Sequence, residues 1–176
     1  MVEPDSRDLI VPGDGLVVLI GPAGSGKSTL ARATFAEDAI LSSDAFRARL
    51  GRGEADQSVT AAAFAALHRE LDDRMSAGLL TVVDATSLTR GARRTLIRSA
   101  QRWNRLAIAL VLDLPPEVVI ARNAGRGERV VPEPAVRRQL AMLGALTDEG
   151  LRREGFSTVR RLGSPVEVES LRVTID

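Results

Sequence analysis

A short glycine-rich segment, GPAGSGKS from Gly21 to Ser28, constrains the fold of this chain more than any other feature. It matches the pattern G-x-x-x-x-G-K-[ST], in which backbone N–H groups and the N-terminus of the following helix surround a phosphate group. The apolar run Leu16–Ile20 before it is typical of a buried parallel strand, and the residues after it favour a helix. A strand, a phosphate-binding loop and a helix in this order predict an α/β fold that binds a nucleotide.

Lys27 is the sole lysine among the 24 Lys and Arg residues of the chain. The space between the β- and γ-phosphates of a nucleotide requires a compact ammonium group on a slim stem, whereas a guanidinium is wider and donates in a fixed fork. We therefore predict that Lys27 contacts these phosphates, and that the hydroxyl of Ser28 binds Mg²⁺ or Mn²⁺ beside ATP or another nucleoside triphosphate. The loop glycines are able to adopt positive φ angles, which turns N–H groups toward the anion. The predicted nucleotide-binding residues of the loop are Gly21, Gly24, Ser25, Gly26, Lys27, Ser28 and Thr29.

Composition excludes several other kinds of site. The 176 residues are enough for one domain with its own core, predicted to span the whole chain. There is no cysteine, which excludes a thiol nucleophile and a zinc site with Cys ligands and fits a reducing cytoplasm. The net charge of +1 excludes a globally basic surface, so any contact with a polyanion must be local. Because no apolar run reaches the length of a membrane span, we expect no membrane partner.

Strand-like and helix-like segments alternate along the chain, which predicts a parallel sheet covered by helices on both faces. Strands are predicted at 16–20, 39–42, 80–84, 107–112 and 157–162, and helices at 60–77, 89–103, 116–122 and 134–154, the last interrupted at Gly150. Residues 1–14 are predicted to be an irregular lead-in. The expected fold class is a three-layer α/β P-loop kinase fold of the adenylate-kinase type, with five parallel strands in the order 2-3-1-4-5 and a lid that carries arginines.

Asp44 and Arg47, which follow the second predicted strand, form a candidate catalytic pair. Active-site side chains of such sheets lie just beyond the strand ends. Asp44 is placed to accept the proton of an attacking hydroxyl group, and Arg47, one helical turn later, to bind a phosphate of the molecule that carries this hydroxyl. In the alternative interpretation Asp44 caps a helix and Arg47 is its solvated partner. The neighbouring P-loop favours the catalytic interpretation.

A second carboxylate, Asp84, ends the third predicted strand. If this strand adjoins the P-loop strand, Asp84 lies near the metal, where it binds a metal-bound water or orients Ser28 or Lys27. The sequence supports equally well a structural role, in which Asp84 caps the helix that begins near Thr89.

The segment 123–133 is a candidate lid. It contains glycines and, with Arg122, Arg126 and Arg129, a local positive charge. A segment of this kind between two helices is able to close over a triphosphate and to place guanidinium groups against the transferring phosphoryl group. The alternative is a surface loop with screened charges, and the prolines at 132 and 134 favour a lid.

Other conspicuous residues receive a structural interpretation. His68 is the sole histidine, which excludes a histidine pair as a metal site, and it is predicted to be a packing or surface group. Five arginines recur at helical spacing between Arg90 and Arg102, which predicts a solvated helix face, with a groove for a polyanion as the alternative. Trp103 is predicted to pack in the core or at a helix end.

Six segments in order carry a more specific signal: LVVLIGPAGSGKST, ILSSDAFR, DQSVTAAAFAALH, LTVVDAT, ARNAGRGERVVPE and LRREGF. Together they closely resemble the 5′-hydroxyl polynucleotide kinase domain of the bacterial end-healing RNA-repair enzyme, a polynucleotide kinase-phosphatase of the P-loop phosphotransferase superfamily. The resemblance extends in register from about Gly15 to Pro165. It implies transfer of phosphate from a nucleoside triphosphate to a 5′-hydroxyl end of RNA or DNA in nucleic-acid repair.

The resemblance also implies roles on the donor side of the reaction. In that family the residues that match Lys27 and Ser28 bind the phosphates and the metal. The arginines that match Arg122 and Arg129 belong to the lid and engage the donor phosphates.

On the acceptor side, the aspartate that matches Asp44 is the general base in that family, and the arginine that matches Arg47 contacts the acceptor phosphate. Gln57 and the segment that begins at Val130 match parts of the acceptor site. The family's full proteins continue into a phosphatase and a ligase-like domain, whereas this chain stops at Asp176. The chain is therefore expected to be either an excised domain of such a protein or a free-standing kinase.

The residues leave two other functions open. One is a P-loop kinase of a small-molecule alcohol, and the other is a regulatory module that binds a nucleoside triphosphate without transferring phosphate. The oligomeric state is open as well, a homo-oligomer included.

Overall fold

A five-stranded parallel sheet forms the centre of the molecule, in a computed structural model that describes residues 8–53 and 57–176, without the side chain of Gln57. The strands of the chain are β1 (Asp8–Val11), β2 (Leu16–Ile20), β3 (Ile40–Ser42), β4 (Thr81–Asp84), β5 (Ala107–Leu112), β6 (Thr158–Leu162) and β7 (Arg172–Ile175). The central sheet has the order β3-β4-β2-β5-β6. Counted within this sheet alone, the order is 2-3-1-4-5, which confirms the predicted α/β topology.

The helices are α1 (Lys27–Thr34), α2 (Ser43–Leu50), α3 (Thr60–Ser76), α4 (Arg90–Arg102), α5 (Pro116–Ala124), α6 (Glu133–Gly144), α7 (Asp148–Glu154) and α8 (Pro165–Ser170). Single 3₁₀ turns lie at Glu37–Ala39, Gln57–Val59 and Gly127–Arg129. None of the described helices is long and apolar enough to cross a membrane.

Every residue of β2, β4 and β5 is buried, because helices cover both faces of the sheet. On one face, α3 packs an apolar stripe in which Leu67, Leu71 and Met75 are fully buried. On the other face, α1 contributes Leu30 and Ala31 to a second cluster, which Phe35 joins directly after the helix. The result is the predicted three-layer arrangement, in which β2 delivers the P-loop at the centre of the sheet.

Two predictions about chain ends and helix breaks were wrong. Residues 8–11 are not an irregular lead-in: they form β1, which pairs in parallel with β7 as a separate two-stranded sheet. The segment 134–154 is not broken at Gly150 but contains two helices, α6 and α7. The hydroxyl of Thr147 accepts a hydrogen bond from the N–H of Gly150 at 3.0 Å, so Thr147 caps α7 and the break precedes it.

The arginines of α4 form the predicted solvated face only in part, because Arg93 is buried. Arg93 is 1% exposed and donates from Nε and one terminal nitrogen to the two carboxylate oxygens of Glu154, both at 2.7 Å. Its other terminal nitrogen donates to the carbonyls of Ser87 and Leu88 at 3.1 and 2.7 Å. Arg93 therefore joins α4 to α7 and to the loop after β4. Trp103 lies at the C-terminal end of α4, as predicted.

Candidate active site

The P-loop connects β2 to α1, and its second and third glycines have the positive φ angles that the sequence predicts. Gly24 has φ of 86° and Gly26 of 94°. A Cβ atom on Gly24 would lie 2.5 Å from the carbonyl oxygen of Val119 and 2.9 Å from the backbone nitrogen of Asn123. Position 24 thus requires a glycine, both because its φ angle is positive and because α5 approaches the loop closely.

Gly21 differs from this expectation, because its φ angle is not among the positive ones. Its Cβ would lie 2.8 Å from Oγ of Ser25 and 3.1 Å from the carbonyl oxygen of Leu112. Close packing of the loop against β5 therefore explains the glycine at this position.

Lys27 is buried at the base of the loop. Its ammonium group donates to the carbonyl oxygens of Gly21 and Pro22 at 2.9 and 2.8 Å. Burial lowers the pKa of Lys27 to about 8; Asp84 opposes this change, Arg126 adds to it, and Asp44 opposes it less strongly. These three side chains come from a strand end, the candidate lid and α2, and all of them act on the same ammonium group.

A long-range contact holds the first half of the P-loop. The side-chain oxygen Oε1 of Gln139, on α6, accepts a hydrogen bond from the backbone N–H of Ala23 at 2.8 Å. Gln139 was not predicted from the sequence, since no local pattern marks a helical glutamine whose side chain bonds a loop 116 residues away.

Asp44 and Arg47 lie in the first turns of α2 and form an ion pair. The cap of this helix is Ser42, whose hydroxyl accepts from the N–H of Ala45 at 3.4 Å. The capping alternative for Asp44 is therefore wrong, and its half-buried carboxylate faces the same cleft as Lys27. Its role as general base stays a prediction.

Asp84 ends β4, and the β3–β4 register places it opposite Ser42. Because β4 pairs with β2, the carboxylate lies beside the P-loop. The helix that follows is capped by Thr89, whose hydroxyl accepts from the N–H of Ala92 at 3.2 Å, so the capping alternative for Asp84 is wrong too.

Ser28 and Asp84 both line the cleft, which suits Mg²⁺, an ion that proteins bind through few side chains, water and substrate phosphates. Among the described residues there is no group of three or more His, Cys, Asp or Glu side chains that would hold a metal by themselves. The residues present thus fit an ion that arrives with a nucleotide rather than a permanent metal centre.

Asn123, a buried residue near the end of α5, connects the two ends of the candidate lid. Its side-chain nitrogen donates to the carbonyl of Val131 at 2.7 Å, and its side-chain oxygen accepts from the N–H of Val131 at 3.1 Å. The two bonds bring the ends of the arginine-rich segment together. Sequence reasoning missed Asn123, although an amide side chain between two lid arginines was the available signal.

These elements enclose a cleft of about 1250 Å³. Its walls include the predicted residues Gly24, Gly26, Lys27, Ser28, Thr29, Asp44, Arg47, Asp84, Arg122, Arg129 and Val130. Gly21 and Ser25 are buried within the loop beneath it, and the side chain of Gln57 lies outside the described part of the chain. The cleft is lined by six cationic side chains (Lys27, Arg32, Arg47, Arg122, Arg126 and Arg129) and four carboxylates (Asp44, Asp84, Glu128 and Glu169).

The sheet order, the P-loop and the arginine-lined cleft define the class of this molecule as a P-loop protein with a kinase-like fold. A family model described as an AAA domain matches residues 16–147, more than half of the chain, and the chain belongs to this family. None of the curated proteins matches it in sequence.

Solved structures with similar folds include a chain of the Pnkp1/Rnl/Hen1 RNA repair complex, with 21% identity and a TM-score of 0.65. That match covers 81% of this chain and 47% of the other, so this chain spans about half the length of its relative. A sugar kinase from Janibacter sp. HTCC2649 is 26% identical, with a TM-score of 0.54 and coverage of 85% and 84%. A chain of the AvrRxo1-ORF1:-ORF2 complex with ATP is 18% identical, with a TM-score of 0.67 and coverage of 85% and 54%. The family and the fold support a kinase.

Proposed function

We propose that this protein is a polynucleotide 5′-hydroxyl kinase, which transfers the γ-phosphate of ATP or another nucleoside triphosphate to a 5′-hydroxyl end of RNA or DNA. The observation that carries the proposal is the pairing of Asp44 with Arg47 in the same cleft as Lys27. A base beside a guanidinium suits an acceptor that carries a phosphate close to its reactive hydroxyl. The terminal nucleotide of a 5′-hydroxyl strand has this chemistry, because its 3′-phosphodiester lies on the same sugar.

In the proposed reaction the 5′ oxygen attacks the γ-phosphorus, and the bond from this phosphorus to the β–γ bridging oxygen breaks. The proton of the 5′-hydroxyl passes to the carboxylate of Asp44, and the nucleoside diphosphate leaves. Because the transition state for phosphoryl transfer is loose, catalysis depends mainly on alignment and on cations around the transferring group. Lys27 and the lid residues Arg122 and Arg129 supply that charge. Mg²⁺, bound by Ser28 and through water by Asp84, would neutralise the phosphate oxygens.

The charge of the cleft supports a polyanionic acceptor. Arg47 reaches the acceptor side from α2, while Arg122 approaches the loop from α5, with one terminal nitrogen 3.4 Å from the position of a Cβ on Gly26. The donor and the acceptor each meet a guanidinium group. The sequence resemblance to the polynucleotide kinase domain runs through the same residues and supports the same assignment.

The test is a transfer assay with labelled ATP and Mg²⁺. Acceptors are 5′-hydroxyl RNA and DNA oligonucleotides, the matching 5′-phosphorylated strands as controls, and a panel of small alcohols that includes sugars and gluconate. We expect label on the 5′-hydroxyl strands and none on the 5′-phosphorylated ones. Label on a small alcohol with none on any oligonucleotide would contradict the proposal.

A kinase of a small-molecule alcohol is the second candidate. It is favoured by the sugar kinase from Janibacter, the most similar in sequence of the three relatives above, whose match extends over most of both chains. The same acceptor panel separates the two candidates. Nucleotide binding without acceptor-dependent release of ADP would instead indicate the non-catalytic module.

A further inference from the structure

Three exposed arginines, Arg90, Arg94 and Arg98, follow one another at intervals of four residues along α4. Residues four positions apart lie on the same side of a helix, so the three guanidinium groups form a row about 12 Å long. We call this row the arginine stripe. The other two arginines of α4 are outside the stripe, because Arg93 is buried and Arg102 forms an ion pair with a residue of α3.

The arginine stripe has no counter-charge within the part of the chain that the structure describes. The sequence of α4 contains no Asp or Glu, and no described residue forms a hydrogen bond or an ion pair with the side chains of the stripe. Two carboxylates reach α4 from neighbouring helices, but both are bound to other arginines. Asp72 of α3 pairs with Arg102, and Glu154 of α7 pairs with the buried Arg93.

Other helices of the protein carry their own counter-charges. On α6 Arg137 pairs with Glu133, and on α7 Arg153 pairs with Glu149, in each case four residues apart. On α4 the side chains at this spacing are like charges, which repel one another. Arg90 also lies in the first helical turn, where the partial positive charge of the helix N-terminus disfavours a cation. A row of cations that opposes the stability of its own helix suits an external polyanion.

The arginine stripe begins beside the cleft. The exposed Thr86 lines the cleft, the exposed Thr89 caps α4, and Arg90 follows directly. Because α4 starts after the carboxyl end of β4 and leads back to the start of the parallel strand β5, the stripe runs away from the cleft along the outside of the molecule. A linear polyanion with one end in the cleft would therefore meet the stripe as it leaves.

We propose, resting on the polynucleotide kinase function proposed above, that the arginine stripe binds the phosphodiester backbone of the acceptor strand beyond its terminal nucleotides. Guanidinium groups bind phosphate oxygens with charge-assisted hydrogen bonds, and such contacts position a strand without reading its sequence. The stripe thus makes acceptor affinity depend on strand length and on salt, and not on base sequence.

The first experiment compares 5′-hydroxyl single strands of two and twelve nucleotides with the wild-type protein. The short strand has a single phosphodiester, which stays in the cleft with Arg47, whereas the long strand reaches α4. For single strands the logarithm of the binding constant falls with the logarithm of the salt concentration by about 0.7 per phosphate contact. We therefore expect a salt slope that is steeper by about 2 for the long strand. Fluorescence anisotropy of 3′-labelled strands at several salt concentrations measures it.

Variants then locate the effect. Arg94→Gln/Arg98→Gln removes two charges but keeps residues that favour a helix. It should raise the Kd for the long strand about tenfold at 0.1 M salt and reduce the salt slope by about 1.4, with kcat/KM for the short strand unchanged. Arg138→Gln/Arg172→Gln, at exposed positions on α6 and β7, removes the same charge elsewhere and should match the wild type.

Three outcomes would count against the arginine stripe. Equal Kd values and salt slopes for the two double variants overturn its role and, if the short strand is still phosphorylated, leave the kinase function intact. An equal loss on the short and the long strand also overturns it, because the effect would then arise in the cleft. Absence of transfer to either strand overturns the kinase function and the stripe proposal with it.

Discussion

The side-chain oxygen of Gln139 accepts a hydrogen bond from the backbone N–H of Ala23 at 2.8 Å, which fixes the P-loop to the helix that follows the lid. We predict that Gln139→Met, which keeps the side-chain length but removes the acceptor, raises the Kd for ATP about 5- to 30-fold. The reason is that a half-buried N–H group loses its partner, at a cost of roughly 1–2 kcal/mol. Calorimetric titration with ATP measures the effect.

Arg138→Met is the control for this variant, because Arg138 is exposed on the same helix. Its Kd for ATP should match that of the wild type. Equal Kd values for Gln139→Met and Arg138→Met would show that the hydrogen bond does not position the loop.

Asp44 is predicted to act in the transfer step and not in helix capping. Because Ser42 caps α2, Asp44→Asn should leave the free energy of unfolding within about 0.5 kcal/mol of the wild type. It should lower kcat by 10² or more, since the carboxylate that accepts the proton is gone, while the Kd for ATP changes little. Single-turnover transfer and ATP titration separate these effects.

The matched control for Asp44→Asn is Asp38→Asn, a change at an exposed carboxylate in the turn before β3. Full transfer activity should remain in that variant. If Asp44→Asn also retains full activity, Asp44 is not the base.

Gly24→Ala is predicted to disrupt the junction of the P-loop and α5. The new methyl group would lie 2.5 Å from the carbonyl oxygen of Val119, at a φ angle of 86° that disfavours side chains. Backbone atoms cannot move aside as a flexible side chain does, so we expect lower thermal stability and loss of ATP binding. Thermal unfolding with and without ATP measures both.

Gly91→Ala provides the contrasting control, since a Cβ at this helical position meets nothing within 4 Å. This change should stabilise the protein by about 0.5–1 kcal/mol through lower entropy of the unfolded chain. Destabilisation by both variants to the same extent would exclude the steric explanation.

The P-loop, the five strands of the central sheet and the separation of helical layers were predictable from the sequence because their signals are local, and the strand order was expected from the P-loop kinase fold class. A phosphate-binding loop needs glycines and a lysine at fixed spacing, and runs such as Leu16–Ile20 and Ala107–Leu112 are apolar throughout because both faces of the strands are buried. The cleft position of Asp44 followed from the same logic, since carboxyl ends of parallel strands share one edge.

What the sequence did not reveal depends on contacts between distant segments. The pairing of β1 with β7 joins the two ends of the chain and leaves no local turn signal. Asn123 and Gln139 act by bonding backbone groups elsewhere, which any surface amide in a helix is chemically able to do. Arg93 shares its helical pattern with exposed arginines, and only the position of Glu154 distinguishes it.

Lys27 is predicted to make nucleotide binding sensitive to pH. Its pKa of about 8 in the free protein means that the ammonium loses its proton as pH rises through 8, and a bound triphosphate favours the charged form. The Kd for ATP should therefore be constant below pH 7 and rise between pH 8 and 9. Lys27→Arg stays charged, yet it should lose about 10² or more in kcat because a guanidinium does not fit between the phosphates.

Titration with ATP at several pH values checks the first result, and Arg153→Lys, an exposed change on α7, controls for altered basic residues. A Kd independent of pH from 6 to 9, or wild-type turnover in Lys27→Arg, would contradict the assigned role of the ammonium group.

Arg93→Met is predicted to destabilise the protein strongly. The change leaves the carboxylate of Glu154, whose side chain is 14% exposed, without its bidentate partner, and it also leaves the carbonyl groups of Ser87 and Leu88 without a donor. Removal of one partner of a buried ion pair costs roughly 3–5 kcal/mol.

Arg94→Met, at the exposed neighbouring position, should change the free energy of unfolding by less than about 0.5 kcal/mol. The double variant Arg93→Met/Glu154→Leu removes the unpaired charge and should recover part of the lost stability. Denaturant unfolding of the wild type and the three variants measures the free energy of unfolding of each. Equal free energies for Arg93→Met and the double variant would contradict this explanation.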